Sequence, residues 1–471
     1  MGEERMEGGL MATSTESLLC DKDEDSGGRH VTAAVLFTTA AAVSGSISFG
    51  CAMSFSSAAK GGIQEDLGLS VAEYSVFGSI LTFGATIGAL FSGIITGLVG
   101  RKPVLCISQL FFIIGWLAIA SAKTVWMLDF GRLCCGIAIG LLSYTIPVYI
   151  AEVTPKTIRG GCIFANQLLQ NCGMAIMYSV GNFLRWRTLA LISVLPCFVQ
   201  LFAMFFVPES PRWLAKIGRE KEFENSLQFL RGKDADISKE KAEIIDLIEA
   251  LDKVTKSKSL DLFQKRYRYS LTVGIGLMLL QQLTGSAGIG FYASTIFEKS
   301  DFSVSFGSTA LALVLIPKAC LGLFLVDKWG RRPLLMVSAT GACLSCLLLA
   351  VSFTLQAFEL LKEITPSMAF VGVMGFMTTF ALGFGGLPWI IMSEIFPMNI
   401  KVRAGSVAAF ANWSTSWVIT YAFNFLLEWS SAGTFYIFAG ACGASILFVW
   451  SIVPETNGKT LEEIQASSIL K

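Results

Sequence analysis

Apolar runs of about 20 residues recur along the whole chain, and each is long enough to cross the hydrocarbon core of a bilayer as a helix. Hydrophobic residues make up 53% of the 471 positions and charged residues 15%, against roughly 25% charged residues in a soluble domain. Inside hydrocarbon, backbone amides are satisfied only within helices or closed barrels. We therefore predict an all-α membrane protein and set aside a soluble multidomain chain.

The apolar runs give twelve candidate transmembrane helices. The predicted spans are 31–59, 74–99, 103–122, 125–150, 162–183, 188–207, 270–297, 303–326, 333–357, 367–393, 406–427 and 432–453. They divide into two six-helix bundles with polar segments around them. The predicted domains are a disordered tail at 1–30, an N-terminal bundle at 31–207, a linker at 208–268, a C-terminal bundle at 269–453 and a second tail at 454–471. The linker alternates charged and apolar residues, which predicts amphipathic helices under the membrane domain.

Three short motifs occur once in each predicted bundle, at an offset of roughly 230 to 250 residues. The pairs are Gly100-Arg101-Lys102-Pro103 with Gly330-Arg331-Arg332-Pro333, Glu152-Val153-Thr154-Pro155 with Glu394-Ile395-Phe396-Pro397, and Pro208-Glu209-Ser210 with Pro454-Glu455-Thr456. A membrane chain built from two copies of one half is the usual plan of a secondary transporter. In such a protein the substrate site lies between the halves.

The short loops place more Lys and Arg on one side of the membrane, which predicts cytoplasmic termini. The motif charges then lie on the cytoplasmic side, where we expect a network that biases the conformational states of the carrier. The alternative is that these charges serve only as topology signals. The network residues are Arg101, Glu152, Arg159, Glu209, Arg212, Asp327, Arg331, Glu394, Arg403 and Glu455.

Several functional classes find no support in the residues. The net charge of +1 provides no field for nucleic acid. His30 is the single histidine, and Cys343 and Cys346, despite metal-like spacing, fit best as small packing residues on a membrane helix. No phosphate-binding loop and no converging nucleophile and base are found. We expect no enzyme activity and no cofactor.

Polar side chains at membrane depth indicate the substrate class. Gln167, Gln281, Gln282 and Asn412 are amides inside predicted spans, and Trp389 follows a Gly-Gly-Leu-Pro step. Each amide offers a donor and an acceptor to adjacent hydroxyls, and an indole packs on the apolar face of a sugar ring. The alternative is hydrogen bonding between helices. Amides and a tryptophan across both halves favour a neutral sugar ligand.

The chain resembles the sugar porters of the major facilitator superfamily over nearly its whole length. The motifs that carry the resemblance are Pro147-Val148-Tyr149-Ile150-Ala151-Glu152, Pro208-Glu209-Ser210-Pro211-Arg212-Trp213-Leu214, Gln281-Gln282-Leu283-Thr284-Gly285, Pro388-Trp389 with Glu394-Ile395-Phe396-Pro397, and Pro454-Glu455-Thr456-Asn457-Gly458. Finer details are similar to the plant early-responsive-to-dehydration-six-like monosaccharide transporters. The resemblance implies that the four amides and Trp389 contact hexose, and that the membrane is vacuolar or plasma membrane. We expect the bilayer and a small sugar as partners, and function as a monomer.

The sequence departs from the sugar-porter pattern where proton coupling is concerned. Proton-coupled members carry an Asp in the first span, opposite an arginine in the fourth; here these positions are Ala52 and Arg132. Ala287 also replaces an Asn that often helps bind sugar. We therefore predict a hexose carrier that works by alternating access and facilitated diffusion. The alternatives are a proton–sugar symporter and a non-transporting sugar sensor, which would need a long signalling domain that we do not expect here.

Overall fold

The computed structural model describes residues 32–155, 158–232, 235–254, 267–396 and 400–456, and within them every regular element is a helix. The predicted tail at 1–30 and residues 457–471 of the second predicted tail lie outside this part of the chain. The all-α expectation is confirmed for the described residues.

The first half is a bundle of long helices that pack around an apolar core. It consists of α1 (Ala33–Leu67), α2 (Val71–Val99), α3 (Arg101–Ala120), α4 (Val125–Val153), α5 (Arg159–Val180), α6 (Trp186–Ile192) and α7 (Val194–Phe205). Ser70 caps α2, with Glu73 completing a reciprocal capping box. The predicted span at 188–207 is interrupted at Ser193. Pro196 explains the interruption, because it has no N–H for the carbonyl of Ile192.

The polar linker folds into three helices with a small core of their own. They are α8 (Pro211–Lys216), α9 (Glu220–Arg231) and α10 (Ser238–Val254). Trp213, Leu214, Phe223, Leu227 and Ile244 are buried together between them. The hydroxyl of Thr32 donates to the carbonyl of Leu230 at 2.5 Å, so α9 is tied to the start of α1.

The second half repeats the plan of the first with more interruptions. It consists of α11 (Arg268–Leu283), α12 (Ser286–Phe291), α13 (Ala293–Lys299), α14 (Val304–Trp329), α15 (Arg331–Ala357), α16 (Thr365–Leu382), α17 (Leu387–Ile395), α18 (Lys401–Trp429) and α19 (Ser431–Ser451). The predicted spans at 270–297 and 367–393 are therefore broken helices. The breaks fall at Gly285, whose φ is +87°, and along residues 383–386, three of which are glycine.

Within the described residues, nine helical segments are long and apolar enough to cross a membrane. The first part of α14 is apolar but shorter. Helices α5 and α18 fall outside this group because they carry buried or half-buried amides such as Asn166, Asn171, Asn412 and Asn424. The amides on each of these two helices thus lower its mean hydropathy.

Hydrogen bonds join the two halves at the end of the molecule opposite the turns at Gly100 and Gly330. The hydroxyls of Ser57 and Ser294 lie 3.2 Å apart, and the amide of Asn424 donates to the hydroxyl of Ser75 at 3.0 Å. Lys60 and Glu298 form an ion pair of 2.9 Å across the halves. The halves are therefore held together at this end, which we call the closed end.

Candidate functional site

Three amides form a continuous hydrogen-bonded chain between α11 and α18. The Nε2 atom of Gln281 donates to the carbonyls of Phe384 at 2.5 Å and Gly385 at 3.2 Å. The Nδ2 atom of Asn412 donates to Oε1 of Gln281 at 2.7 Å. Gln281 and Asn412 are only 4% and 3% exposed. Both amides are thus buried and paired, as buried polar groups must be.

Gln282 completes the chain but keeps free hydrogen-bonding capacity. Its Nε2 atom donates to Oδ1 of Asn412 at 3.3 Å, and its Oε1 atom accepts from the hydroxyl of Ser286 at 3.4 Å. A primary amide has two N–H groups and two lone pairs on oxygen, so one of each remains. Gln282 is half-buried. It is therefore the member of the chain best able to take a ligand hydroxyl.

Trp389 lies two residues into α17, just after the break that Gln281 anchors. Its side chain is half-buried beside the apolar core of the second half. At the break the carbonyls of Phe384 and Gly385 lack the hydrogen bonds of a regular helix, and they accept hydrogen bonds from Gln281 instead. The amide chain and the indole are thus positioned by the same structural device.

Gln167 belongs to the first half and is not part of the amide chain. It is exposed on α5, and its backbone carbonyl accepts a hydrogen bond of 3.0 Å from the buried amide of Asn171. Its own amide has no hydrogen bond to another described residue. Of the predicted site residues, the structure therefore brings Gln281, Gln282 and Asn412 into contact and leaves Gln167 separate.

The motif charges of the first half form one compact cluster. Arg101 grips Glu152 with both Nε and Nη2, each at 2.8 Å. The hydroxyl of Ser210 donates to the same carboxylate at 2.5 Å. Arg101 and Glu152 are 14% and 13% exposed, so this bidentate pair is far better shielded than an ordinary surface pair.

A glutamate from each Pro-Glu motif caps the helix that begins at each Gly-Arg motif. Glu209 accepts from the backbone amides of Arg101 and Lys102 at the start of α3. Burial raises the pKa of the Glu209 carboxyl, against the effect of these hydrogen bonds. Glu455 accepts from the amides of Arg331 and Arg332 at the start of α15. The internal repeat thus encodes a helix N-terminus together with its carboxylate cap.

Glycine suits both caps, because a side chain there would press on the capping carboxylate. A Cβ at Gly100 would fall 2.4 Å from Oε2 of Glu209, and one at Gly330 would fall 3.0 Å from Oε2 of Glu455. Both glycines also have positive φ, at +102° and +85°.

The described ion pairs at this end stay within one half each. Arg331 pairs with Glu394 at 3.2 Å, as Arg101 pairs with Glu152. Arg212 is half-buried and has no ion pair with a described residue. The side chains of Arg159, Asp327 and Arg403 lie outside the described part of the chain. No ion pair recorded there joins the halves.

Arg132 is fully buried, and its recorded hydrogen bond goes to the backbone of Ala52. Its Nη1 atom donates to the carbonyl of Ala52 at 2.7 Å. The guanidinium lies 5.1 Å from the ring centre of Phe77 and 5.9 Å from that of Phe55. A backbone carbonyl and two aromatic faces thus take the place of a carboxylate partner.

Sequence reasoning missed Lys318, which lies near the middle of α14 and is 8% exposed. Its ammonium donates to the carbonyl of Met377 at 3.3 Å, a little over one turn before the end of α16. A lysine in an apolar run is itself a signal, because charged residues at membrane depth are costly and usually functional.

Two internally similar helical halves, with polar groups gathered at broken helices, define a secondary carrier of the membrane. The chain belongs to the family described as "Sugar (and other) transporter", which it matches over residues 31–467. It is thus an integral multi-pass membrane protein of a transporter family, with the fold of the major facilitator superfamily, and the family resemblance read from the motifs is confirmed. A transporter of this family is not an enzyme.

Relatives in Arabidopsis thaliana match nearly end to end. "Sugar transporter ERD6-like 17" is 56% identical, with 96% of this chain and 95% of the relative covered. "Sugar transporter ESL1" is 55% identical, with 93% of each covered. Among solved structures, the proton:xylose symporter XylE bound to 6-bromo-6-deoxy-D-glucose matches with a TM-score of 0.77 at 24% identity, over 93% of this chain and 100% of that one. At this identity the structural match establishes the fold alone.

Proposed function

We propose that the protein carries a monosaccharide of the hexose class down its concentration gradient by alternating access. The amide chain is the observation that carries the proposal. It ends in a half-buried Gln282 with one free donor and one free acceptor, and the same break in the helix presents Trp389. A sugar ring needs both kinds of contact, hydrogen bonds to adjacent hydroxyls and a flat apolar surface.

The proposed architecture has twelve membrane crossings, with bundles at 31–207 and 269–453. Beyond the nine apolar segments, α5, α14 and α18 supply three further crossings. The polarity of α5 and α18 is what helices beside a sugar path need, and Gln167 and Asn412 lie on these two helices. The linker helices and both termini are proposed to be cytoplasmic, as the loop charges predict. The membrane is proposed to be vacuolar or plasma membrane, and the working unit a monomer.

The closed end supports an inward-facing state. With cytoplasmic termini, the ion pair between Lys60 and Glu298 and the bond between Ser75 and Asn424 lie on the side away from the cytoplasm. In alternating access the halves separate on one side while they touch on the other. The outward-facing state then requires that these contacts break.

We propose facilitated diffusion rather than proton symport because of the partner of Arg132. A symporter needs a titratable side chain at this position, whereas Arg132 donates to the backbone carbonyl of Ala52. The symporter remains the second candidate. It is favoured by two other ionisable side chains inside the membrane domain, Asp129 and Lys318, both 8% exposed.

The proposal is tested by uptake of radiolabelled hexoses into proteoliposomes that contain the purified protein. We expect saturable uptake that stops when inside and outside concentrations are equal, and competition among hexoses that differ at one hydroxyl. Liposomes with a Trp389→Ala variant provide the matched control. Uptake no faster than in empty liposomes, for every monosaccharide tried, contradicts the proposal.

A further inference from the structure

Arg132 has an unused hydrogen-bonding fork inside the protein. Its Nη1 atom is bonded to Ala52, but in the described part of the chain Nε and Nη2 have no partner, although the side chain is fully buried. Nε and Nη2 are the two atoms with which Arg101 grips the carboxylate of Glu152. In Arg101 these two N–H groups therefore bind a carboxylate, whereas in Arg132 they have no partner among the described residues.

The groups around Arg132 are donors as well. Trp116, in edge contact with Phe55 at 5.1 Å, has an indole N–H without a partner among the described residues. The hydroxyl of Tyr292 is likewise unpartnered, and both side chains are fully buried. Arg132 lies beside Phe55 and Phe77. Four atoms that can donate, on three buried side chains, thus have no partner among the described residues.

Among the described residues, no carboxylate forms an ion pair with Arg132. The rings of Phe55 and Phe77 flank the guanidinium. The hydroxyl of Tyr74 donates its hydrogen bond to the carbonyl of Ser56. Asp129 lies one turn earlier on α4 with an unpartnered Oδ1 atom, but among the described residues no ion pair joins it to Arg132. A buried charge without a counter-charge is strongly unfavourable. The site therefore favours negative charge from outside the chain.

We propose that the Nε–Nη2 fork of Arg132 binds a small monovalent anion, and that planar oxyanions of the carboxylate class bind better than halides. Two parallel N–H groups match two oxygens of a planar oxyanion, whereas a halide is a single point. The anion neutralises the buried arginine, the role that a side-chain carboxylate at position 52 would otherwise have.

Tyr292 places this site under the closed end. It belongs to the second half, yet its hydroxyl lies against α2 of the first half, where a Cβ at Gly78 would fall 2.0 Å from it. Its ring stacks on Phe423 with centroids 5.5 Å apart. Separation of the halves at this end removes Tyr292 from α2 and uncovers the fork. Anion exchange is thereby tied to the conformational cycle.

Thermal unfolding of the purified protein in sugar-free buffer tests the proposal without reference to transport. Sodium formate, nitrate and chloride are compared with isethionate, which is too bulky for a buried fork, at equal ionic strength. We expect formate and nitrate to raise Tm by roughly 2–4 °C once their concentration is several times Kd, with saturation, and chloride to raise it less.

Variants at position 52 show whether Arg132 is responsible. In Ala52→Asp an internal carboxylate occupies the fork, so the difference between formate and isethionate should vanish. Ala52→Asn has the same size without the charge and should keep the difference. Arg132→Gln should lose it. Equal Tm for the unmodified protein in all four salts overturns the proposal, as does an unchanged formate effect in Ala52→Asp.

Discussion

At the residue scale, Gln281 and Gln282 are neighbours in sequence with different tasks. The side chain of Gln281 is buried, and its amide forms hydrogen bonds with Phe384, Gly385 and Asn412. Gln282 bonds to Asn412 and retains one free donor and one free acceptor. We therefore propose that helix–helix bonding is the task of Gln281 and ligand binding that of Gln282. Gln281 holds the geometry of the site, and Gln282 is the group proposed to meet the sugar.

Substitutions of these two residues should separate affinity from stability. We expect Gln282→Ala and Trp389→Ala to weaken hexose binding roughly tenfold to a hundredfold, about 1.4–2.8 kcal/mol, with little change in Tm. Gln281→Ala should weaken binding and also lower stability by about 1–3 kcal/mol, since it leaves one N–H of Asn412 and the buried carbonyl of Phe384 without the partner that Gln281 provides. Binding is measured by scintillation proximity and stability by thermal unfolding.

Gln356→Ala is the matched control for these substitutions. Gln356 donates to Lys299 and Asp301 near the closed end, away from the amide chain. Its removal should leave hexose affinity unchanged. If Gln282→Ala and Trp389→Ala also leave affinity unchanged, the assigned site is wrong.

Lys318 provides a second residue-scale prediction. Its ammonium is buried and donates to one backbone carbonyl, with no ion pair to a described carboxylate, so burial of its charge is poorly compensated. Lys318→Met keeps the length and apolar contacts of the chain, and we expect Tm to be equal or a few degrees higher. The comparison is Lys299→Met, which removes a lysine near the closed end that bonds to the carbonyl of Leu427. A clear fall in Tm for Lys318→Met alone would mean that the ammonium has stabilising partners.

At the element scale, the sequence predicted where the helices lie better than where they break. Apolar composition shows that a segment lies in the membrane but not whether its helix is continuous. Segment 270–297 is apolar on both sides of Gly285, so its composition gives no sign of the break. The break depends on a left-handed glycine and on Gln281, which takes up carbonyls 103 and 104 residues away. No local pattern shows such a partner. The amides themselves were predictable, because a polar group in an apolar run must be paired or bind a ligand.

The repeated motifs were also visible in the sequence, but their purpose was not. Spacing alone does not show that Glu209 and Glu455 cap the helices that begin after Gly100 and Gly330. The two partners are more than 100 residues apart in each half, so only the fold brings them together. Each capped helix end is a rigid unit of one half, and this explains why the motif occurs once per half.

Neutralisation of charges at opposite ends should shift the conformational equilibrium in opposite directions. Glu298→Gln removes the ion pair that joins the halves at the closed end, and we expect a shift toward the outward-facing state. Glu394→Gln removes the carboxylate charge that pairs with Arg331 on the proposed cytoplasmic side, and we expect a shift toward the inward-facing state with slower turnover. A change of about 1 kcal/mol alters the ratio of states roughly fivefold.

Labelling of single cysteines on each side of the membrane measures this shift. Glu359→Gln is the control, because its ion pair with Lys362 is exposed and lies within one loop. If Glu394→Gln and the unmodified protein are labelled equally, the Glu394 charge does not bias the conformational states and serves only as a topology signal.

At the scale of the whole molecule, the question is whether a second gradient drives the sugar. A proton symporter needs a group that titrates along the path and changes partners between states. Arg132 does not lose its proton at working pH, and the residue it contacts, Ala52, offers only a backbone carbonyl. Positions 52 and 132 therefore form no titratable pair, and this supports the proposal that the halves rock without a proton.

We therefore expect uptake to depend little on pH and to continue in the presence of a protonophore, with equal concentrations at equilibrium. The measurement is hexose uptake into proteoliposomes with and without an imposed pH gradient. Ala52→Asp is the informative variant, because it places a carboxylate beside Arg132 and should make uptake more sensitive to pH. Accumulation of hexose by the unmodified protein above the outside concentration, driven by an inward proton gradient, would contradict facilitated diffusion. Asp129→Asn and Lys318→Met would then identify the coupling group, since each removes one of the two other titratable charges buried in the described membrane domain.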